Sequence, residues 1–224
     1  MDSLENGPRQ TSSVLDVVAQ VVNAIRDGQL APGQRLVETE FAKRLGVART
    51  TIREAFQRLE VDGLLSQERH RGFLVRVIDR SELRQIYEAK GALDGLAARL
   101  AAPKFAHDSR KLEELYQGLE DARARHSMKD FTGLNHEFHD LVRRTSENSV
   151  IYRMLGTLEQ SAYHYQFRLL IDNAQVFLSQ DDHARIFQAL KNGDADGAER
   201  EAREHAYSSL TQLLQLPDTL FGAP

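Results

Sequence analysis

Cysteine is absent from this 224-residue chain, so it can form no disulfide and no thiolate metal ligand. Any metal site must then draw on histidine, carboxylate or amide oxygen. Long apolar runs are missing too: nothing approaches the roughly 20 residues that span a bilayer. The opening MDSLENGPRQ lacks the basic-then-apolar order of a secretory signal. Together these absences lead us to expect a cytoplasmic protein with no membrane partner. A positive excess is also lacking, since 29 Lys and Arg face 33 Asp and Glu, a net charge of −4. That average hides a split. Met1–Ile78 carries +1 and the remainder −5, while Lys43–Arg76 is locally +4. Attraction to nucleic acid depends on charge near the phosphates, because salt screens distant charges.

The length allows two modest domains, each able to bury a core. Residues before Ser12 read as a disordered leader. Val14, Val17, Val18, Val21, Val22 and Ile25 then form the buried stripe of a first helix over Val14–Asp27, closed by Gly28 and a Pro32-Gly33 turn. A helix over Val37–Leu45 and another over Thr50–Asp62 follow, joined at Gly46-Val47, where glycine tolerates the backbone angles of a tight bend. Gly63 ends the second helix. Leu64–Gln67 and Gly72–Val77 can pair as strands around Arg69, His70 and Arg71. This is a winged helix-turn-helix over residues 12–78. The opening turn of its second helix carries Arg49, Thr50, Thr51 and Arg53, donors and cations suited to DNA.

The constellation Pro32-Gly33, Leu36-Val37-Glu38, Phe41-Ala42, Leu45-Gly46-Val47 and Arg49 through Ala55 resembles the GntR family of bacterial transcriptional regulators. The likeness extends through Leu59, Asp62-Gly63-Leu64 and Arg71-Gly72. It implies that Arg49 and Arg53 approach guanine edges or phosphates in the major groove. It also implies that Thr50 and Thr51 contact the DNA backbone, and that His70, Arg71 and Gly72 enter the minor groove as the wing tip. Arg35 is a candidate for phosphate. Ala48 stands where the family usually has a hydroxyl residue.

From Asp79-Arg80-Ser81, read as a linker with Ser81 as N-cap, the sequence is helical throughout. Six helices are expected: Glu82–Ala102 stopped by Pro103, Asp108–His126, Met128–Thr145, Val150–Ile171, Gln175–Asn192 and Ala195–Leu216. No strand-period run competes. The fold class is therefore mainly α: an N-terminal winged helix-turn-helix, then an all-α antiparallel helical bundle over residues 79–217. Asn135 and His139 share one helix face at i and i+4, His183 lies among core-facing residues, and His205 follows Ala198 and Ala202. Three inward histidines in such a bundle can make one metal site, since imidazole suits Zn, Ni, Mn or Fe.

Asn135 through Leu141, Asn148, His183 through Gly193-Asp194, and His205 resemble the FCD ligand-binding domain of the FadR-type branch of GntR regulators. Six helices look like its VanR-like subgroup. The likeness implies a divalent metal on Asn135, His139, His183 and His205, with a small organic acid completing its coordination. Asn135 departs from the common aspartate, giving a weaker, neutral ligand. Lys90, standing for the family's arginine, is a candidate effector-binding residue. Tyr163 and Arg168 join it as residues of a helix that could face the pocket.

The reading that follows is a homodimeric transcriptional regulator acting as a repressor on a near-palindromic double-stranded operator. A helical-bundle metalloenzyme is the rival from another class. It would need a general base such as Glu137 or Asp182, and Glu137 faces away from the Asn135–His139 stripe. No Ser-His-Asp arrangement, phosphate loop or HExxH sequence supports it, so no enzymatic activity is expected. A third reading is a DNA-binding scaffold whose bundle binds no ligand and serves only to dimerise.

Overall fold

A computed structural model describes residues 13–26, 28–69, 71–159, 177 and 179–222. Chain contacts divide it into two compact units, Met1–Arg76 and Val77–Pro224. The first holds α1 (Val14–Arg26), β1 (Arg35–Leu36), α2 (Glu38–Leu45), α3 (Arg49–Val61), β2 (Leu65–Glu68) and β3 (Gly72–Val75). The strands form one antiparallel sheet in the order β1-β3-β2, with Leu36 opposite Phe73 and Leu65 opposite Val75.

The three helices bury one stripe each, because their apolar residues recur at helical spacing. Val17, Val21 and Ile25 of α1, Phe41 of α2, and Ile52, Ala55, Phe56 and Leu59 of α3 close over Phe73 of the sheet. Phe56 lies edge-on between Phe41 at 5.3 Å and Phe73 at 5.4 Å. Such pairs add about 0.5–1.5 kcal/mol each beyond their burial. Gly46 (φ 67°) ends α2 in a left-handed conformation that a side chain would strain. This bend sets the start of α3.

The second unit holds α4 (Arg80–Phe105), α5 (Arg110–Ala124), α6 (Met128–Thr145), a helix of which residues 149–159 are described (α7), α8 (Gln180–Lys191) and α9 (Ala195–Leu213). Its main core joins Phe105, Leu112, Leu119, Phe131, Phe138, Ile186 and Leu190. Along α4 and α9 the backbones approach closely at Gly95, where a Cβ would stand 2.9 Å from the carbonyl of Glu199. After α9, Leu216 packs with Leu83 and Tyr87. Arg80, the first residue of α4, donates to the carbonyls of Leu214 and Leu216 (2.8 Å) and to Asp218 (2.7 Å). Its guanidinium lies 4.2 Å from the Phe221 ring, and Gly222 N–H bonds to Ile78 C=O at 3.1 Å.

Four details differ from the sequence expectations. Pro103 does not stop α4, which continues to Phe105. The proline lies in the last turn, and burial of Ala101, Ala102 and Phe105 outweighs one missing donor near a helix end. Asp79, not Ser81, caps this helix, its carboxylate accepting from Glu82 N–H at 2.7 Å. Arg35–Leu36 adds a third strand too short to show alternation. The wing strands run Leu65–Glu68 and Gly72–Val75, because Leu64 and Arg76 instead close the ladder by a bond from Arg76 N–H to the carbonyl of Leu64. The leader before Ser12, residues 160–171 of the expected fourth bundle helix and residues 175, 176 and 178 of the expected fifth lie outside the described residues.

Candidate functional site

The helix-turn-helix presents Arg49, Thr50 and Arg53 on the exposed first turns of α3, with Thr51 half-buried beside them. Ala48 at the N-cap makes no side-chain bond, so no hydroxyl occupies the amide groups at the helix start. A residue that the sequence reading did not single out organises this end. Glu38, in the first turn of α2, accepts from Arg49 Nε at 2.7 Å and from Arg53 Nε and Nη2 at 2.9 and 3.0 Å. The hydrogen bonds from Arg53, then those from Arg49, hold the Glu38 carboxyl below its usual range despite partial burial. One carboxylate thus aligns both guanidiniums. The only sequence signal was its place in the Leu36-Val37-Glu38 motif. Arg35 is exposed on β1, and Arg71 pairs with Glu68 at 2.9 Å beside Gly72 at the wing. His70 lies outside the described residues.

In the helical unit, α6, α8 and α9 bring His139, His183 and His205 together, with ligand nitrogens all within 4.8 Å of one another. His139 and His205 stack with ring centroids 5.1 Å apart, and His183 lies 5.2 and 4.7 Å from them. The Nε2 atoms of His139 and His183 are 3.2 Å apart. Phe138 packs edge-on against His183 at 5.5 Å. One turn before His139, the Oδ1 of Asn135 is buried with no hydrogen-bond partner. An orphaned buried acceptor costs about 1–3 kcal/mol, so a cation there would supply what is missing. Three imidazoles and an amide oxygen are uncharged donors matching a borderline divalent ion. The residues present fit such a group.

Behind the rings stand partners that the sequence reading did not assign. His183 Nδ1 is 3.3 Å from Gln180 Oε1, and Gln180 Nε2 donates to Glu120 Oε1 at 2.7 Å. His205 Nδ1 is 3.3 Å from Asp182 Oδ2, and Asp182 also pairs with Arg185. Burial works to raise the Asp182 carboxyl, but His205 and Arg185 outweigh it and hold it at about 2. Burial, followed by the charge of its neighbours, pushes His139 and His183 well below the usual histidine range.

Beside the triad lies a small cavity of about 10 Å³, lined by Asp94, Phe138, His139, Arg143 and His205 among others. Asp94 is buried between two cations, pairing with Lys90 and with Arg143 Nε at 3.1 Å. Arg143 Nη2 reaches Glu159 at 2.6 Å. Burial disfavours the Asp94 carboxylate, yet Lys90 and Arg143 prevail and lower its pKa. Lys90 does not line the cavity itself; it adjoins it through Asp94, and that ion pair balances its charge within the chain. Arg143 was missed; its signal is a cation one turn beyond His139 on the apolar side of α6. Tyr163 and Arg168 lie outside the described residues. Glu137 is exposed, away from the triad.

Neutral His139, half-buried, and neutral His183, fully buried, give the metal-free protein a defined pH response. Below pH 6.5 the unfolded chain protonates His139 and His183 while the folded chain does not, so the unfolded state binds more protons. Stability should be fully present above about 6.5 and fall with pH below it, by about 1.4 kcal/mol per pH unit for each ring until its folded pKa is reached. Denaturation midpoints between pH 7 and 5 read this, and His183→Gln should lower the slope.

A winged helix-turn-helix unit followed by a helical unit is the architecture of a DNA-binding transcriptional regulator. Residues 14–75 match the family described as bacterial regulatory proteins, gntR family, and residues 85–208 match the FCD domain. The chain belongs to the gntR family and carries an FCD domain; it is a regulator and not an enzyme. It is 28% identical over 201 residues to the HTH-type transcriptional regulator YdhC of Bacillus subtilis strain 168, covering 88% of this chain and 89% of that one. It is 28% identical over 181 residues to the transcriptional repressor RspR of Escherichia coli strain K12, covering 79% and 78%. The fold is like that of E. coli McbR/YncC, with a TM-score of 0.75 at 24% identity over 90% of this chain and 97% of that one. No described helix is long and apolar enough to cross a membrane.

Proposed function

We propose that this regulator is a homodimeric repressor of a near-palindromic operator, released by a small organic acid that binds at a divalent cation in the helical unit. Asn135, His139, His183 and His205 hold the cation. The observation that carries this reading is the buried Asn135 Oδ1 without a partner, on the helix that supplies His139 to the nitrogen cluster. The cation supplies a Lewis-acid centre with positions left for carboxylate oxygens. The chain's own part is to hold the three imidazoles together beside the paired Lys90, Asp94 and Arg143.

Repression has its support in the likeness to RspR, a named repressor. Dimerisation has its support in exposed apolar residues of α4 and α7: Leu96, Leu100, Val150 and Met154 are 38–53% exposed around the cluster of Ala97, Ile151 and Leu155. DNA contacts fall to Arg35, Arg49, Thr50, Thr51, Arg53, His70, Arg71 and Gly72, with Arg49 and Arg53 reading bases.

Elemental analysis of untagged protein tests the metal centre. About one divalent ion per chain is expected, and it should be lost in His183→Ala and in His205→Ala. Absence of metal after incubation with Zn, Ni or Mn would sink this reading.

A further inference from the structure

The hydrogen-bond chain behind the histidines has a direction, and that direction fixes where the ring protons sit. Glu120 offers a carboxylate, which only accepts. It takes bonds from Tyr116 O–H at 3.2 Å and from Gln180 Nε2 at 2.7 Å. With its NH₂ committed, the fully buried Gln180 turns its carbonyl oxygen to His183 Nδ1. That nitrogen must donate, so a neutral His183 carries its proton on Nδ1 and a bare lone pair on Nε2. The same logic holds on α9. Asp182 is acceptor-only toward His205 Nδ1, which leaves a neutral His205 with Nε2 bare.

The third ring has the opposite pattern. His183 Nε2 can only accept, and His139 Nε2 stands 3.2 Å from it. Two lone pairs facing at that distance would repel, so His139 carries its proton on Nε2 and donates to His183. We infer that Gln180 and Asp182 are positioning residues that set His183 and His205 as Nδ1–H tautomers, while His139 alone exchanges its tautomer when the three rings become ligands. For both facing Nε2 atoms to serve as ligands, the His139 proton has to leave Nε2 and reside on Nδ1. The proton count of the neutral ring is unchanged. This deepens the metal-centre reading and rests on it for its functional meaning, whereas the tautomers can be read in the metal-free protein.

Partners behind a metal-bound histidine fix ring orientation and tautomer, and their loss weakens metal affinity about 10- to 100-fold. The test uses the full-length, metal-stripped protein labelled with ¹⁵N at histidine. Long-range ¹H–¹⁵N correlations assign each tautomer, and Zn²⁺ is then titrated against a competing chelator. His183 and His205 are expected as Nδ1–H and His139 as Nε2–H, with His139 moving to Nδ1–H once Zn²⁺ is added. Gln180→Met should give His183 a mixed tautomer and weaken Zn²⁺ binding about 10- to 100-fold with cooperative unfolding retained. Glu120→Gln, remote from the rings, frees the Gln180 amide to turn and should also mix the His183 tautomer, which keeps the assignment testable if the first variant does not fold. Wild-type His183 found as Nε2–H overturns the assignment, and a His183 tautomer unmoved in Gln180→Met overturns the positioning role of Gln180. Tautomers as assigned without Zn²⁺ uptake support the positioning roles and overturn the metal-centre reading instead.

Discussion

Asp94→Asn is expected to cost the folded chain about 3–5 kcal/mol, as removal of one member of a buried ion network does. Lys90 is 7% exposed and Arg143 is 6% exposed, and both lean on this one carboxylate. The amide keeps the volume, so no cavity contributes. What remains is a buried Lys90 that has lost its carboxylate and an Arg143 left with Glu159. Chemical denaturation at neutral pH reads the loss. Lys90→Met with Asp94→Leu should recover most of it, because an apolar pair of similar size avoids the desolvation of both charges. A loss below about 1 kcal/mol in Asp94→Asn, the range of exposed pairs, would mean that water reaches the network.

Arg49→Ala and Arg53→Ala should each weaken operator binding by about 1–3 kcal/mol, the discrimination carried by a bidentate arginine at guanine. Together they should remove sequence preference while the chain stays folded, since both side chains are more than half exposed and rest on one partner. Glu38 adds to the effect. Without either arginine its carboxylate is left facing the phosphates unneutralised. Fluorescence anisotropy on operator and scrambled duplexes, at one fixed salt concentration, measures both terms. Retained preference in both single variants would remove α3 from the role of reading helix.

Helix α3 and its approach were legible in the sequence because two signals agree: the periodicity of Ile52, Ala55, Phe56 and Leu59, and the glycine bend at Gly46. The gathering of His139, His183 and His205 was legible only because each sits on a helix face that its apolar neighbours mark as inward. What escaped were partners set by tertiary packing. Asp94 stands among Leu93, Ala97 and Ala98, a charge on an apolar stripe, and such a residue announces burial without naming its partner. Arg143 reaches back to α4 across 49 positions and Gln180 reaches α5 across 60. Neither distance has a local signature. Pro103 misled because propensity is weighed residue by residue, while the last turn of α4 is held by the core beneath it.

The Arg80 clasp gives the helical unit a mechanical property. Helix α9 carries His205 near its middle, and the segment that follows it is gripped by the first residue of α4. That residue comes directly after the short stretch 77–79, which begins the unit. An axial slip or rotation of α9 would therefore act on residues 77–80 like a rod on a crank, through a guanidinium and a stacked ring rather than through slack chain. The carboxyl-terminal end of the unit and its entry point work as one joint.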